Sequence, residues 1–461
     1  MYDHITRREV LKGLMAAAAA ALATACRGLP GPAPYTSGRP EAVDTRWPIK
    51  RVIYLMMENR SFDHVFGRFP GVDGTTVGVR DGREVPLIPV PQWLPGDLLH
   101  SWQTTLEHVN GGAMDGFGRD GPVAETFAYS QGGGEDFPNY WHWAREFVLS
   151  DNFFASTIGN SFPQHLYMIA GHSGGAYDSP RFDAEGRREL ESRGLAKTWG
   201  CDAPESGKVP MVRPGKSPHE TDPLIRLCLD LDTQGRQLTR AGIDWAYYTA
   251  QPHQHGYVWN AYTVISDVFH DREEWARRIR PVDDVVRDIR DGNVPAVTWI
   301  TPRFELSDHP PWSTCFSHDW VTTIVNAVMN GPMWRSTAIF ITWDEWGGFY
   351  DHVEPPKVDQ LGLGIRVPCL TISPYAARGL VDHELGEFVS PHRFIADNWG
   401  LGYLSDRVRG THNFDHVFEF ERRPRDPDPR PLRRTCRGEW QKALWDAENW
   451  PAPFGELDAV G

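Results

Sequence analysis

Three short runs of apolar, β-prone residues constrain the fold of this chain most strongly. Each run is continuous and flanked by residues that break secondary structure; they are Arg51 to Met57, Ala296 to Ile300 and Thr337 to Trp343. Continuous runs are typical of strands that are covered on both faces. Candidate helices lie between them, at residues 141–147, 282–291 and 320–330. Strands that alternate with helices predict an α/β fold with a mostly parallel central sheet and helices on both faces.

Acidic and amide side chains directly follow two of these runs. Glu58 and Asn59 follow the first, and Asp344 and Glu345 follow the third. Ligands of open α/β sheets bind beyond the carboxyl ends of the strands. Three carboxylates converging there would repel one another without a cation, and their oxygens suit a hard divalent ion. The sequence predicts one such site; the alternative is a helix capped by Asn59 or Ser61 beside a solvated acidic pair.

The segment after the second acidic pair has two further features. Gly347 and Gly348 predict a close approach of the backbone to a ligand or a neighbouring strand, because glycine has no Cβ. His352 follows on the predicted loop and could donate to a phosphate oxygen or protonate a leaving alkoxide. The alternative is a loop histidine with no role in catalysis.

Two serines compete as the nucleophile. Ser173 lies in GHSGG, which fits the GxSxG pattern of serine hydrolases and follows a strand-like segment at 166–170, although the residues after it are typical of a loop rather than a helix. Ser161 precedes Phe162-Pro163 and is predicted at an exposed loop start, where a cation could lower the pKa of its hydroxyl. Ser173 would make a metal-independent esterase; Ser161 would make a metal-assisted enzyme.

Three further histidines, two of them next to an aspartate, supply candidates for phosphoester chemistry. His100 lies in DLLHSW, Asp308 and His309 in LSDHPP, and His318 in FSHDW. Such groups could donate to the equatorial oxygens of a phosphate and protonate the leaving group.

Charge and cysteine content restrict the partners and the compartment. The chain of 461 residues has 47 basic and 61 acidic residues, a formal net charge of −14, which argues against nucleic acid or a general anionic membrane surface as the main partner. Cys201 and Cys228 are the preferred disulfide pair in an oxidising compartment, and the odd cysteine total beyond Cys26 predicts at least one free thiol.

The two ends of the chain are predicted to lie outside the catalytic domain. Residues 1–25 read as a signal peptide with Arg7-Arg8 and resemble the twin-arginine signature, so we expect a periplasmic, cell-surface or secreted protein. Cys26 could carry a lipid or follow an ordinary cleavage site. We expect a tether at 26–46, a domain at 47–425 with a loop-rich insertion or cap at 181–240, and a C-terminal extension at 426–461 that packs on the core.

Five separated motifs carry a family resemblance. They are ENRSFDHVFG at 58–67, NGGAMDGF at 110–117, DHPP at 308–311, TWDEWGGFYDHVEPP at 342–356 and GIRVPCLTISPYA at 364–376. Together they resemble the bacterial and plant non-specific phospholipase C and acid phosphatase family, over about residues 47–420. The resemblance implies an alkaline-phosphatase-like core and cleavage of phosphate esters by a metal-assisted hydroxyl nucleophile.

Carried over by position, the resemblance implies roles for individual residues. The metal ligands would be Glu58, Asn59, Ser161, Asp344 and Glu345. The phosphate-contacting and proton-transfer residues would be His100, Asp308, His309 and His352. His318 receives no secure role. The chain departs from the family where its PNR block reads Pro163-Gln164-His165, and His165 could take over as a donor.

The resemblance therefore predicts an exported phospholipase C that acts on phospholipids through a phosphoserine, with one divalent ion, Ca, Mg, Mn or Zn. Alternatives are an acid phosphatase for small phosphomonoesters, the Ser173 esterase, and a non-catalytic binding protein that retains the fold. We expect transient or lipid-anchored membrane contact and no obligate protein partner. Exposed aromatic residues at the mouth of the site would favour lipid, and the candidates are Trp93, Trp102, Trp141, Trp143, Trp312 and Trp346.

Overall fold

The structure is a computed structural model that describes residues 44–91, 93–193, 198–219 and 222–433. An eight-stranded sheet forms its centre. The predicted signal peptide, Cys26, nearly all of the tether and the C-terminal extension beyond residue 433 lie outside the described residues.

The central sheet is mostly parallel, as the sequence predicts. Its strands in chain order are β1 Arg51–Met57, β2 Val148–Ser150, β3 Trp245–Thr249, β4 Ile279–Pro281, β5 Val297–Ile300, β6 Thr337–Trp343, β7 Cys369–Ile372 and β8 Leu380–Asp382. Their spatial order is β4-β3-β5-β1-β6-β7-β2-β8. Only β7 runs against its neighbours. The first and third predicted runs have the bounds of β1 and β6, and β5 begins one residue after the second.

Both faces of the sheet are covered. All seven residues of β6 are buried, and six of the seven in β1. Successive side chains of a strand point to opposite faces, so burial of both sets requires packing on both sides. The α-helices of the described residues are α1 Phe62–Phe66, α2 Trp102–Val109, α3 Pro122–Phe127, α4 Pro138–Glu146, α5 Ser161–Ala170, α6 Ala184–Ser192, α7 Gln234–Arg240, α8 Ser266–His270, α9 Arg272–Arg278, α10 Val285–Arg290, α11 Thr314–Asn330, α12 Val389–Trp399 and α13 Asp406–Gly410.

Local sequence determines where α1 begins and where α5 ends. The Ser61 hydroxyl accepts the His64 N–H (3.2 Å) at the start of α1, and Gly171 adopts a positive φ of 70° at the end of α5.

The segment 166–170, predicted as strand-like, is the second half of α5. That prediction was wrong because α5 is buried all round, and a short apolar run does not distinguish a buried helix from a buried strand.

The described residues of the segment 181–240, predicted as an insertion or cap, contribute no strand to the central sheet. The segment contains α6, α7 and a small hairpin of Lys208–Pro210 with Leu224–Arg226. The predicted disulfide Cys201–Cys228 is present within it, with an S–S length of 2.05 Å. Cys369 is a buried free thiol.

The described part of the C-terminal segment packs on α11 without forming a helix or strand. The Arg433 N–H donates to Asp319 Oδ1 (2.7 Å), and the Asn326 side chain exchanges hydrogen bonds with the Arg430 backbone. Within the described ranges, none of the helices has the length and apolarity needed to cross a membrane.

Candidate active site

The two acidic strand ends meet at one edge of the sheet. Strands β1 and β6 are parallel neighbours in which Met57 is paired with Trp343. The residues that follow, Glu58 and Asp344, therefore emerge side by side. The Asn59 N–H donates to Asp344 Oδ1 (3.0 Å), which ties the two ends together. We call Glu58, Asn59, Asp344 and Glu345 the strand-end cluster.

The strand-end cluster concentrates negative charge in the interior. The side chains of Glu58, Asp344 and Glu345 are fully buried. Burial raises the pKa of Glu58 well above its usual value, and the neighbouring charge of Asp344 raises it further. Burial likewise raises the pKa of Glu345, although the nearby His100 opposes the shift. Ionised carboxylates in this position need a positive partner.

In the strand-end cluster, one oxygen each of Asp344 and Glu345 accepts a backbone hydrogen bond, whereas other oxygens of the cluster accept none. Asp344 Oδ1 accepts the Glu345 N–H (2.8 Å), and Glu345 Oε2 accepts the Gly347 N–H (2.7 Å). By contrast, Asn59 Oδ1, Asp344 Oδ2 and Glu345 Oε1 are buried and make no hydrogen bond within the described part of the chain. His100 Nε2 lies 4.0 Å from Glu345 Oε1, at ion-pair rather than hydrogen-bond distance. Buried oxygen acceptors without hydrogen-bond donors fit the ligands of a divalent cation.

Ser161 lies against the strand-end cluster at the beginning of α5. Its side chain is almost fully buried, and its Oγ donates to Glu58 Oε2 (3.3 Å). The predicted exposed loop start was wrong. Proline is tolerated in the first turn of a helix, where its missing N–H has no intrahelical partner, so Phe162-Pro163 begins a helix instead of extending a loop. The N-terminus of a helix also favours negative charge on a bound group.

His100 and His309 face each other beside the cluster, with Asp97 between them. Their ring centroids are 5.5 Å apart, and Asp97 Oδ2 lies 3.9 Å from His100 Nδ1 and 3.8 Å from His309 Nε2. Burial lowers the pKa of His100, but the charges of Glu345 and Asp97 outweigh it and raise the pKa to about 9. Burial lowers the pKa of His309. Sequence reasoning missed Asp97, whose only signal is its position three residues before His100.

His165 also reaches the cluster, in a position that sequence reasoning gave only as a possible donor. It lies one turn after Ser161 on α5, and its Nε2 is 2.8 Å from Glu58 Oε1. Burial lowers the pKa of this imidazole to about 4.

The two glycines predicted to make a close approach do so to different segments: Gly347 approaches the neighbouring strand end, and Gly348 approaches Leu98. Gly347 has a positive φ of 63°, and a Cβ there would lie 2.5 Å from the Cβ of Asn59. Arg60, which sequence reasoning missed, is fully buried behind this contact. Its Nη1 donates to the Asn59 carbonyl (2.7 Å), and burial lowers its pKa to about 10.

Asp308 and His318 lie outside the strand-end cluster. Asp308 Oδ2 accepts the Trp343 Nε1–H (2.9 Å), and its other oxygen is bonded to Ser317. Burial raises the pKa of Asp308. The Asn139 N–H donates to His318 Nε2 (3.1 Å), and burial lowers the pKa of His318 to about 3. The catalytic role of Asp308 stays a prediction.

His352 belongs to a second acidic cluster, which we call the arginine network: Asp63, Asp351, His352 and Arg366. His352 Nδ1 is 2.6 Å from Asp63 Oδ2, and Arg366 donates to both carboxylates, at 3.0 Å to Asp351 Oδ1 and 3.2 Å to Asp63 Oδ1. No described contact joins His352 to the strand-end cluster, and its proton-transfer role stays a prediction.

Two other predictions concern Ser173 and the tryptophans. Ser173 is fully buried and is followed by a loop, so the helix expected after a nucleophile elbow is absent from this described segment. Among the proposed rim tryptophans, Trp93 is exposed and Trp312 is half-buried. The prediction was wrong for the other four, which are buried: Trp102, Trp141, Trp143 and Trp346. Large aromatic side chains usually belong to the core, as these do.

Comparisons with known proteins agree on one family. The model of the phosphoesterase family matches residues 49–402. The chain is 26% identical to a hemolytic phospholipase C of Pseudomonas aeruginosa, covering 83% of this chain and 58% of that one. It is 27% identical to phospholipase C B of Mycobacterium tuberculosis (87% and 82% covered) and 24% identical to non-specific phospholipase C6 of Arabidopsis thaliana (73% and 64% covered). It thus spans less than two thirds of the first and third of these relatives.

Several solved structures resemble this chain distantly. One is a protein of the alkaline phosphatase superfamily from Vibrio parahaemolyticus, with 9% identity, a TM-score of 0.36 and coverage of 79% of this chain and 69% of that one. A likeness at this level carries no argument about function.

Proposed function

The chain belongs to the phosphoesterase family and is a hydrolase of phosphoester bonds, and on that premise we propose that it is a metal-dependent phospholipase C. It cleaves phospholipids to diacylglycerol and a phosphorylated head group. The phospholipases C among its relatives support this substrate class. The twin-arginine pattern at Arg7-Arg8 supports export to the periplasm, the cell surface or the medium, with membrane contact at the substrate.

The hydrogen bond from Ser161 to Glu58 carries the proposal, because it brings a hydroxyl to a buried cluster with unpaired oxygens. The residues that would hold a divalent cation are Glu58, Asn59, Ser161, Asp344 and Glu345. When bound, such an ion supplies Lewis-acid chemistry, lowering the pKa of the hydroxyl and offsetting charge on the phosphate.

The chain's own residues then divide the work of phosphoryl transfer. Ser161 Oγ, having lost its proton to solvent, forms a bond to phosphorus as the bond to the diacylglycerol oxygen breaks. His100, which its raised pKa keeps protonated, donates to the phosphate oxygens and gives a proton to the departing oxygen, and His309 lies beside it. Water then hydrolyses the phosphoserine and releases the head group. The N-terminus of α5 faces the transferred charge and stabilises it.

The test pairs Ser161→Ala with Ser173→Ala as a matched control. We expect Ser161→Ala to lower phospholipid hydrolysis by about 10⁴-fold or more, because the nucleophile is gone, while Ser173→Ala stays within a few-fold of wild type. Choline, ethanolamine and glycerol phospholipids are assayed beside p-nitrophenyl phosphate, each with and without a chelator. Full activity of Ser161→Ala would reject the proposal. Loss of activity in Ser173→Ala with indifference to chelator would favour the esterase.

One observation favours the alternative substrate class, small phosphomonoesters. Four of the six tryptophans proposed for the rim are buried, so the predicted aromatic surface for lipid is reduced to Trp93 and Trp312. An acid phosphatase would hydrolyse p-nitrophenyl phosphate in this panel and leave the phospholipids intact. The same Ser161 chemistry would apply.

A further inference from the structure

Helix α5 presents two side chains to one carboxylate. Ser161 and His165 are four residues apart and therefore lie on the same face of the helix, one turn from each other. Ser161 Oγ contacts Glu58 Oε2 (3.3 Å), and His165 Nε2 contacts Glu58 Oε1 (2.8 Å). The residue at 165 thus approaches the same group as the proposed nucleophile.

The geometry around His165 matches a coordination sphere. One ligand atom from each of Glu58, His165 and Asp344 lies within 4.8 Å of the others, and all three side chains are buried. Donor atoms that share one ion with bonds of about 2.0–2.2 Å are about 3–4 Å from each other. The ring contacts the cluster through Nε2, and its Nδ1 is buried and makes no hydrogen bond within the described residues.

We propose that His165 is a nitrogen ligand of the cation, so that the site takes a transition metal such as zinc or ferrous iron in preference to calcium or magnesium. Imidazole suits zinc and iron, whereas calcium and magnesium are bound by oxygen donors. This inference rests on the proposed metal dependence and deepens it by naming the class of ion. It gives the histidine that departs from the PNR block a function in metal choice.

The experiment uses the full chain, stripped with a chelator and reloaded with ZnCl₂ or CaCl₂. X-ray absorption at the zinc edge detects imidazole scattering, and competition titrations give the affinities for both ions. The variants are His165→Gln and, as a matched control, His309→Gln, which removes another buried histidine of the site. We expect imidazole scattering in wild type and His309→Gln but none in His165→Gln, where zinc affinity falls about 10- to 100-fold and calcium affinity changes little.

Retention of the imidazole signal in His165→Gln would overturn the inference, as would tighter binding of calcium than zinc by wild type. If hydrolysis remains metal-dependent after either of these results, the proposed function stands and only the role of His165 is rejected. Failure of wild type to bind either ion, with hydrolysis that survives the chelator, overturns both. If circular dichroism shows that His165→Gln does not fold, a His100→Gln/His309→Gln double variant decides: a retained imidazole signal supports His165, and its loss overturns it.

Discussion

The strand-end cluster and the arginine network are both buried groups of acidic side chains near the carboxyl end of β1, but they differ in how their charges are satisfied. In the arginine network, Asp351 Oδ1 accepts from Arg366 Nε (3.0 Å) and Oδ2 accepts the Asp63 N–H (3.0 Å). Both Asp63 oxygens also have donors, from Arg366 and His352. Every carboxylate oxygen of this network is therefore paired.

In the strand-end cluster, backbone donors hold one oxygen each of Asp344 and Glu345, and the second oxygens have no hydrogen bond among the described residues. Distance alone does not separate the two clusters, because each contains a trio of potential metal ligands within 4.8 Å. The two clusters differ in whether all of their carboxylate oxygens accept hydrogen bonds. The arginine network is neutralised by the protein, whereas the strand-end cluster fits an added cation.

The largest expected effect distinguishes the clusters by activity. Asp344→Asn retains an oxygen for the Asn59 and Glu345 N–H groups but removes a charge from the proposed metal site. We expect hydrolysis to fall by about 10³-fold or more. In a chelator, the same substitution should raise the free energy of unfolding by about 1 kcal/mol, since it relieves repulsion on Glu58. Assays and urea denaturation measure the two effects.

The control for this variant is Asp426→Asn, at an exposed site. It should leave both activity and stability near wild type. A large loss of stability in chelator-treated Asp344→Asn would mean that the strand-end cluster is structural, like the arginine network, and would remove the difference between them.

The next effect tests the arginine network by stability. Arg366→Gln leaves Asp63 and Asp351 buried without their guanidinium, and it also removes donors to the Asp73 and Asp151 carbonyls. Breaking a buried ion pair from one side costs about 3–5 kcal/mol. Urea denaturation should therefore show a loss of this size. Arg422→Gln, which breaks an exposed ion pair, should change stability by about 0.5 kcal/mol or less; equal effects of the two variants would contradict the comparison.

The sequence predicted the strand-end cluster better than it predicted the contacts around it. Arg51 to Met57 and Thr337 to Trp343 are continuous buried strands, and parallel pairing brings the residues that follow them together. Each strand is recognisable from its own residues. The rule that ligands bind beyond the carboxyl ends of the strands of an open α/β sheet then links the two acidic pairs. The central sheet and the meeting of both acidic pairs could therefore be predicted without coordinates.

The remaining contacts depend on segments that are distant in the sequence. His165 meets Glu58 across 107 positions, and His352 meets Asp63 across 289. Spacing within a motif does not show which of two nearby acidic clusters a histidine will join. For His352, the resemblance suggested proton transfer, but its described contacts are with the arginine network and Asp73. Tertiary packing determines the contacts of both histidines, and it also buries Ser161 at the start of α5.

The smallest effect concerns the pH dependence of stability through His352. Burial lowers the pKa of His352, but its hydrogen bond to Asp63 and the charges of Asp63 and Asp351 outweigh this and raise the pKa to about 9. The unfolded value is about 6.5, so the stabilisation is fully present below about pH 6.5 and is lost as the pH rises through about 9. After discounting for partial exposure, it amounts to about 1–2 kcal/mol.

The measurement compares urea denaturation of wild type and His352→Gln at about pH 6, 7.5 and 9, so that titration of groups common to both proteins cancels. We expect the difference in unfolding free energy to shrink steadily toward the highest pH. A difference that does not change with pH would contradict a protonated His352 in the arginine network. The same variant separates the two roles of this residue: a role in the network leaves kcat within a few-fold of wild type, whereas proton transfer to the leaving group requires a fall of about 10²-fold or more.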